Sequence, residues 1–297
     1  MTIRRRHLLF TMGGAFLSGG LLSGADENPK PLGCSAEDDT ISCFQPFDFK
    51  DSGGKMHRIY ADGTGPPVVV LHELPGLTPA DIRLAKRLVG EGYMALVPLL
   101  FGRPGGDRFI HNLFSVCGSD DFDCAGSGKT PSPVKWIKEF CSSARKRWTD
   151  GLGMGVIGMC LTGEFPLALL AVPEIKAAVL CQPTNPLNVL TAVRLAKGGR
   201  MSIGKADLEA ARKSGVPILG IRYTGDVLCP KGRFDTLDRL FPNQFRRLDL
   251  PGHHHSSLGD SFSQMAFDEV RAYLGKQLRG NSSTADKTSA GEGHRES

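Results

Sequence analysis

One cysteine of the chain lies in a hexapeptide suited to nucleophilic chemistry. The segment from Gly158 to Gly163 reads Gly-Met-Cys-Leu-Thr-Gly, and Cys160 separates an apolar run from an amphipathic one. A nucleophile between a strand and a helix occupies a strained turn that only small flanking residues permit. A helix beginning at Leu161 would direct its amide dipole at the sulphur and lower the thiol pKa. The pattern predicts a reactive thiolate, and the alternative is a buried cysteine beside a tight turn.

An aspartate and a histidine follow later apolar runs in an order that suits a catalytic triad. Asp226 comes after the strand-like run 217–223, and the histidines His253–His255 come after the run 245–250. The α/β-hydrolase arrangement places nucleophile, acid and histidine in this order, the last two each after a strand. Taken singly, the aspartate could be a helix cap and the histidines a solvated loop. The three features together predict a Cys-His-Asp triad.

A metal site is not predicted at the histidine run. Near His253–His255 no cysteine or carboxylate lies at a spacing typical of zinc sites. Three consecutive side chains rarely converge on one ion. Since a thiol, an imidazole and a carboxylate suffice for acyl transfer, no cofactor is expected either.

The elements that must position these residues alternate between strand and helix. A hairpin formed by 47–50 and 56–60 precedes the first buried run, and no period of 20 to 50 residues repeats. Alternation of this kind predicts an α/β-hydrolase fold, a mostly parallel twisted sheet with helices on both faces. The later strands are predicted at 67–71, 93–100, 155–159, 175–181, 217–223 and 245–250, and the helices at 78–92, 135–148, 161–171, 205–214, 234–241 and from 261 onward.

Two helix starts and one long connection are predicted in detail. Thr78 with Pro79 and Asp81 gives a capped N-terminus for the first helix,. The last helix is predicted to begin at Ser261 with Gln264 completing a capping box. Its apolar face is predicted from the helical spacing of Met265, Val270, Tyr273, Leu274 and Leu278. The connection 101–133 is longer than a turn needs, so part of the substrate pocket is expected there.

The N-terminus has the composition of an export signal. Arg4–Arg6 precede an uncharged apolar run that ends near Ala25, which is typical of a twin-arginine signal peptide,. The alternative, a membrane anchor, is disfavoured because the run is short and rich in glycine. We therefore expect a signal at 1–25, a linker at 26–43, a hydrolase domain at 44–280 and a disordered tail at 281–297. A periplasmic or secreted location follows, with no stable membrane span after signal removal.

Composition and cysteine content fit an exported globular enzyme. Hydrophobic residues make up 40% and charged residues 23%, and the net charge of +5 includes the N-terminal arginines. No nucleic-acid partner is expected, and the basic cluster Arg145–Arg147 is interpreted as a solvated helix face. Export permits disulfides. Cys34 with Cys43, and Cys117 with Cys124, are possible pairs, whereas Cys141 and Cys181 are interpreted as small buried hydrophobes.

Residues 44 to 279 resemble the dienelactone hydrolase family, also called carboxymethylenebutenolidases. The resemblance is carried by the elbow around Cys160 and by Leu71–Leu77, which reads Leu-His-Glu-Leu-Pro-Gly-Leu. It implies that Glu73 contacts the resting thiol and gates its ionisation. It also implies that the backbone N–H groups of Leu74 and Leu161 form the oxyanion hole.

The same resemblance bears on the substrate. The segment Pro98–Arg103 is similar to a family segment in which an arginine binds the substrate carboxylate, and this implies that role for Arg103. The alternative is a surface charge on a loop. The family's aspartate after the proline is Leu99 here, and no arginine follows the histidines closely. We therefore expect a small ester or lactone that differs from the best-known family substrate.

The resemblance leaves two histidines as candidates for the base. His253 matches a Gly-His dyad and His255 a His-Ser dyad, and His255 is favoured. The predicted reaction is hydrolysis of a small ester or lactone through a thioester on Cys160, with Asp226 orienting the histidine. A monomer is the working expectation. The rival hypothesis is a non-catalytic exported α/β domain that binds a small molecule or senses oxidation through Cys160.

Overall fold

The computed structural model describes residues 40–105, 129–148, 153–184 and 201–280. Several predicted features lie outside these residues: the signal peptide at 1–25, most of the linker, the tail at 281–297, most of the long connection, and Cys34, Cys117 and Cys124. The side chains of Arg145–Arg147 are also outside the description. None of the described helices is long and apolar enough to cross a membrane.

Eight strands form one sheet in the order β1-β2-β4-β3-β5-β6-β7-β8. β1 pairs antiparallel with β2, β2 pairs antiparallel with β4, and the remaining pairs are parallel. The parallel strands place their carboxyl ends along one edge, where the predicted site residues follow them. The bounds are Gln45–Lys50 (β1), Met56–Asp62 (β2), Pro67–Leu71 (β3), Met94–Pro98 (β4), Met154–Met159 (β5), Ile175–Cys181 (β6), Ile218–Tyr223 (β7) and Phe245–Leu250 (β8).

Six described α-helices cover the two faces of the sheet. Residues of α1 and α6 belong to one buried apolar cluster, and residues of α2, α3, α4 and α5 belong to the other. The predicted α/β-hydrolase fold with helices on both faces is thereby confirmed. The helices are Pro79–Gly90 (α1), Pro133–Trp148 (α2), Phe165–Leu169 (α3), Lys205–Ser214 (α4), Lys231–Leu240 (α5) and Gln264–Leu278 (α6).

The central strands are apolar because both of their faces are covered. Val68, Val69 and Val70 of β3 are each 0% exposed. In a strand, alternate side chains point to opposite faces, so Val69 joins one apolar cluster while Val68 and Val70 join the other,. Complete burial of one valine contributes about 1.5–3 kcal/mol. These buried strands position the residues that follow them at the carboxyl edge of the sheet.

The predicted start of α1 is confirmed. The Thr78 side chain accepts from the Asp81 amide, and the Asp81 carboxylate accepts from the Thr78 amide at 2.8 Å. This reciprocal pairing satisfies two backbone N–H groups that a helix start leaves without partners. It also places the Asp81 carboxyl in the protein interior, with 0% exposure.

The predicted start of α6 at Ser261 was wrong. Ser263 caps the helix instead, and its side chain accepts from the Ala266 amide at 3.3 Å. One residue of the predicted apolar face is also exposed. Met265 is 58% exposed, and Phe267 is buried at 4%. The remaining predicted positions of the apolar face, namely Val270, Tyr273, Leu274 and Leu278, are buried.

The described cysteines fall into two chemical states. Cys141 and Cys181 are buried free thiols, as predicted, and Cys160 and Cys229 are also free. Cys43 is disulfide-bonded to a cysteine outside the described residues. Its pairing with Cys34 stays a prediction.

Candidate active site

Cys160 occupies a strained turn at the carboxyl end of β5. Its φ is +50°, in the left-handed region that L-residues other than glycine seldom adopt,. A Cβ at Gly158 would lie 2.3 Å from the Thr162 carbonyl oxygen, and one at Gly163 would lie 2.6 Å from the Cα of Pro183. Glycine is therefore required on both sides, as the sequence pattern predicted. This turn raises Cys160 out of the strand at the edge where the other site residues lie.

The predicted helix over 161–171 and its effect on the thiol were wrong. The chain forms a 3-10 turn at Cys160–Thr162 and then only the five-residue helix α3. Burial raises the pKa of Cys160 well above its usual value, and the neighbouring Glu73 charge raises it further. The Leu161 amide opposes these effects by hydrogen bonding to the sulphur. Desolvation of a thiolate outweighs the dipole of so short a helix, and the resting thiol is protonated at neutral pH.

Asp226 and His255 form the orienting pair of the site. The Asp226 carboxylate accepts from the Leu228 amide at 2.8 Å and the Cys229 amide at 3.2 Å. Nδ1 of His255 lies 2.7 Å from Oδ2 of Asp226. With the proton on Nδ1, Nε2 is left as a bare acceptor, and it is buried without a hydrogen-bond partner,. A base with this geometry is ready to take a proton.

The structure brings only one of the two candidate histidines to Asp226. The rings of His253 and His254 are exposed. His254 packs edge-on against Tyr223 with ring centroids 5.3 Å apart, and His253 lies against Gly225. His255 therefore has the contacts expected of a triad base, in agreement with the preference from the sequence.

Three side chains distant in sequence converge at this point. The sulphur of Cys160, a carboxylate oxygen of Glu73 and a ring nitrogen of His255 all lie within 4.8 Å of one another. No hydrogen bond joins the sulphur to Nε2 of His255 in this resting arrangement, and triad hydrogen bonds are often long before substrate binds. Among the described residues, Cys160, Glu73 and His255 are also the one group of three that could converge on a metal ion. The sequence spacing did not indicate a metal-binding group here, because each of the three residues follows a different strand.

Glu73 is buried, and its hydrogen-bond partner is a serine that was not predicted from the sequence. Glu73 is 6% exposed and accepts a hydrogen bond from the Ser256 hydroxyl. Ser256 has φ +58°, in the left-handed region,. A Cβ at Gly259 would lie 2.8 Å from Oε1 of Glu73. Burial raises the pKa of Glu73. The His-Ser dyad was a signal that could have identified Ser256.

A second buried carboxyl lies behind Glu73. Asp81 of α1 is fully buried, and its Oδ1 has no hydrogen-bond partner. Burial, followed by repulsion from Glu73, raises the pKa of Asp81 to about 7. The folded protein thus binds a proton here that the unfolded chain releases at its usual pKa of 3.8. Stability associated with Asp81 is complete below about pH 4, falls as the pH rises towards 7, and stays low above it.

We therefore expect Asp81→Asn to be more stable than wild type at pH 8, by roughly 2 kcal/mol. The advantage should disappear at about pH 3, where the aspartate is mostly neutral in both states. Urea unfolding at the two pH values measures this difference. Glu209→Gln, which neutralises an exposed carboxylate, is the control and should show no such pH dependence. An Asp81→Asn variant with the same stability deficit at both pH values would contradict the assignment.

The predicted oxyanion amides flank the nucleophile on two loops. Leu74 follows β3 and Leu161 follows Cys160, and both residues are half-buried. The Leu161 N–H faces the sulphur. The Leu74 N–H has no acceptor among the described residues. Among the described residues the Leu74 amide therefore has no competing acceptor, whereas the Leu161 amide is bonded to the sulphur in the resting site.

The substrate-binding role of Arg103 stays a prediction. Its side chain is exposed, and it makes no hydrogen bond or ion pair with any described residue. A cleft of about 500 Å³ does lie at this edge of the sheet. Its walls come from the β1–β2 turn, the first residues after β4, including Phe101 and Gly102, and the start of α2. Both ends of the long connection therefore contribute to a cavity, while most of that connection lies outside the described residues.

Arg222 is a residue of the site region that the sequence analysis missed. It is 3% exposed. Its guanidinium donates to the carbonyl oxygens of Cys229 at 2.6 Å and Thr224 at 3.1 Å, and its Nε lies 2.8 Å from Asp249. The two carbonyls bracket Asp226, so Arg222 holds the acid loop closed. An arginine inside a strand gives no sequence signal for this role.

The sequence model of the dienelactone hydrolase family matches residues 58–250. A search of curated proteins gave no match.

Solved structures with the same fold are distant in sequence. A dienelactone hydrolase-like promiscuous phosphotriesterase from metagenomic libraries is 17% identical, with a TM-score of 0.55, 79% coverage of this chain and 98% of that one. A Pyrococcus furiosus esterase is 16% identical, with a TM-score of 0.53 and coverages of 79% and 91%. A thermostable carboxyl esterase from Bacillus coagulans is 11% identical, with a TM-score of 0.55 and coverages of 79% and 98%. At these identities the structures support the fold alone.

The family match extends from β2 to the end of β8. It therefore includes the nucleophile elbow and the acid loop, and it stops just before the histidines. The chain belongs to the dienelactone hydrolase family and is a carboxylic ester hydrolase.

Proposed function

We propose that the protein hydrolyses a small ester or lactone through a Cys160–His255–Asp226 triad and a thioester acyl-enzyme. The observation that carries the proposal is the state of His255. Its Nδ1 is bonded to Asp226, and its buried Nε2 has no partner in a cluster whose reactive atoms lie within 4.8 Å of one another. The imidazole is thereby oriented as a base towards the only half-buried free thiol among the described residues.

The first half of the reaction forms the acyl-enzyme. Nε2 of His255 takes the thiol proton of Cys160, and the sulphur attacks the carbonyl carbon of the substrate. The carbonyl π pair moves to oxygen, and the resulting oxyanion is stabilised by the amides of Leu74 and Leu161. When the tetrahedral intermediate collapses, the C–O bond breaks and the imidazolium gives its proton to the leaving alkoxide. In a lactone the leaving oxygen stays attached to the acyl group.

The second half consumes water and restores the thiol. His255 takes a proton from water, the hydroxide attacks the thioester carbonyl, and the C–S bond breaks. The thiolate then recovers the proton from the imidazolium. Asp226 stabilises the imidazolium in both halves.

Glu73 acts on the charge state of the nucleophile. Its negative charge is one of the causes that raise the pKa of Cys160. Its own pKa is raised by burial. A neutral Glu73 would therefore make the thiolate easier to form, which supports a gating role.

The protonated resting thiol argues against the rival function of oxidation sensing. Oxidation starts from the thiolate, and sensor cysteines have lowered pKa values. Here burial and the Glu73 charge act in the opposite direction. The structure therefore favours a hydrolase whose thiolate forms during turnover.

The test is hydrolysis of p-nitrophenyl acetate and a panel of small lactones by the purified protein. We expect turnover, and we expect it to fall in proportion to alkylation of Cys160 by iodoacetamide, with the modified cysteine identified by peptide mapping. Acid quenching during p-nitrophenyl acetate turnover should trap an acetyl group on the same residue. Full activity after complete alkylation of Cys160 would refute the proposed nucleophile.

A further inference from the structure

His72 is a fully buried histidine with no part in the proton transfers described above. It follows the last residue of β3 and is 0% exposed. Its Nε2 lies 3.0 Å from the Leu100 amide nitrogen, and its Nδ1 lies 3.2 Å from the Glu73 carbonyl oxygen. An amide N–H can only donate, so Nε2 must be the bare acceptor and Nδ1 must carry the proton. His72 therefore donates to the Glu73 carbonyl.

That carbonyl belongs to the peptide unit that supplies the predicted oxyanion amide. The Glu73 oxygen also accepts from the Gly76 amide at 2.9 Å. The Glu73–Leu74 peptide is trans, so its C=O and N–H point in opposite directions. Two donors fix the oxygen on one side, and the Leu74 N–H is consequently held on the other. As noted above, this N–H has no acceptor among the described residues.

The same segment is also tied to the nucleophile elbow. The Thr162 hydroxyl contacts the carbonyl oxygens of Leu71 at 3.0 Å and His72 at 3.3 Å. Thr162 lies one residue beyond Leu161, the source of the second oxyanion amide. The two amides are therefore connected through buried polar contacts of Thr162.

We propose that His72 is a positioning residue that fixes the Glu73–Leu74 peptide so that the Leu74 N–H faces the developing oxyanion. The inference rests on the proposed function, because an oxyanion arises only if a nucleophile attacks a carbonyl. His72 acts through Leu74 and does not touch the substrate. Without its ring, the peptide would lose one of the two donors that set its orientation.

The ring also couples this peptide to the wall of the 500 Å³ cleft. Leu100 and Phe101 line the cleft. The Leu100 amide donates to Nε2 of His72, and the Phe101 ring packs edge-on against the imidazole with centroids 4.6 Å apart. A displacement of the cleft wall would thus be transmitted to the oxyanion amide through one side chain. The burial of His72 lowers its pKa to about 4, so the ring is neutral at the pH of an ordinary assay.

The experiment compares wild type, His72→Leu and His72→Gln in two reactions of Cys160. Ester hydrolysis passes through an oxyanion, whereas alkylation by iodoacetamide displaces iodide at a saturated carbon and forms none. For His72→Leu we expect kcat for p-nitrophenyl acetate to fall about 10²-fold with little change in KM, as for loss of one oxyanion donor. The alkylation rate should stay within about twofold of wild type, because thiolate formation is not affected.

Glutamine offers an N–H donor and a carbonyl acceptor that can replace both contacts of the imidazole. His72→Gln should therefore recover most of the lost kcat. An unchanged kcat in His72→Leu, or an equal fall in hydrolysis and alkylation, would overturn the positioning role. Wild-type activity that survives alkylation of Cys160 would instead contradict the proposed function. A failure of the positioning role can therefore be distinguished from a failure of the proposed function.

If His72→Leu does not fold, nitrogen-15 NMR of the histidine rings tests whether His72 donates to the Glu73 carbonyl. In the wild-type protein we expect His72 as the neutral Nδ1–H tautomer, assigned by loss of its signals in His72→Gln. The Nε2–H tautomer would mean that the ring does not donate to the Glu73 carbonyl, and the proposal would be wrong.

Discussion

Cys160→Ala should lower kcat/KM for p-nitrophenyl acetate by about 10⁴-fold or more, as removal of a triad nucleophile does in other hydrolases. The expected loss is large because Cys160 supplies the only thiol of the cluster, and the thioester cannot form without it. Glu73 and His255 lie within 4.8 Å of the sulphur, but an imidazole or a carboxylate is a much weaker nucleophile towards an ester than a thiolate. Steady-state kinetics with the purified variant measure the effect.

The fold should survive this change. Cys160 already has φ +50°, and alanine meets the same backbone strain at that position as cysteine does, so little strain is added. The matched control is Cys141→Ala, which removes a buried free thiol from α2, away from the site. The control should keep its activity while losing some stability through the cavity that it creates. Activity near the wild-type level in Cys160→Ala, with a native circular dichroism spectrum, would contradict the mechanism.

Arg233→Met should destabilise the protein by about 3–5 kcal/mol, because it leaves Glu164 as an uncompensated buried charge. Arg233 of α5 is 2% exposed, Glu164 is 4% exposed, and the two are in direct contact. Glu164 is the N-cap residue of α3, next to the nucleophile elbow, and it also accepts from the Ser202 amide at 2.6 Å. For a domain of this size, each kcal/mol of lost stability lowers Tm by roughly 2–4 °C.

A double-mutant cycle separates the ion pair from simple loss of packing. Glu164→Gln alone leaves the guanidinium without its anion and should also destabilise the protein, whereas the double variant should be less destabilised than the sum of the single changes. Arg246→Met is the matched control, since its partner Glu269 is partly exposed and Arg246 itself is 57% exposed. Surface pairs of that kind contribute at most about 1 kcal/mol. Strictly additive losses in the cycle would show that the pair contributes no coupling.

Much of the fold follows from short-range patterns in the sequence. The apolar run at β3 and the capping residues of α1 each specify a local structure without reference to distant residues. Tertiary context altered the details elsewhere. At α6 two serines, Ser261 and Ser263, could each cap the helix, and packing of Phe267 against the sheet accompanies the use of the second.

For the candidate site, the residue types and their order along the chain could be predicted from local patterns. The glycines around Cys160 are required by sterics, and the order of Cys160, Asp226 and a following histidine matches the successive carboxyl ends of parallel strands. Those features are local or topological, so a pattern suffices. The His-Ser dyad favours His255 over His253 as the base. The contact of His255 with Asp226 is seen only in three dimensions.

The electrostatics of the site depend on three-dimensional contacts that the sequence pattern did not predict. A helix predicted to start directly after Cys160 implied a lowered thiol pKa. Burial and the charge of Glu73, which follows a different strand, raise the pKa instead. The same holds for Asp81, a routine helix-cap residue in the sequence, whose pKa of about 7 arises from burial and from Glu73. Desolvation and charge–charge interactions depend on distances between residues far apart in the chain. No local pattern in the sequence encodes those distances.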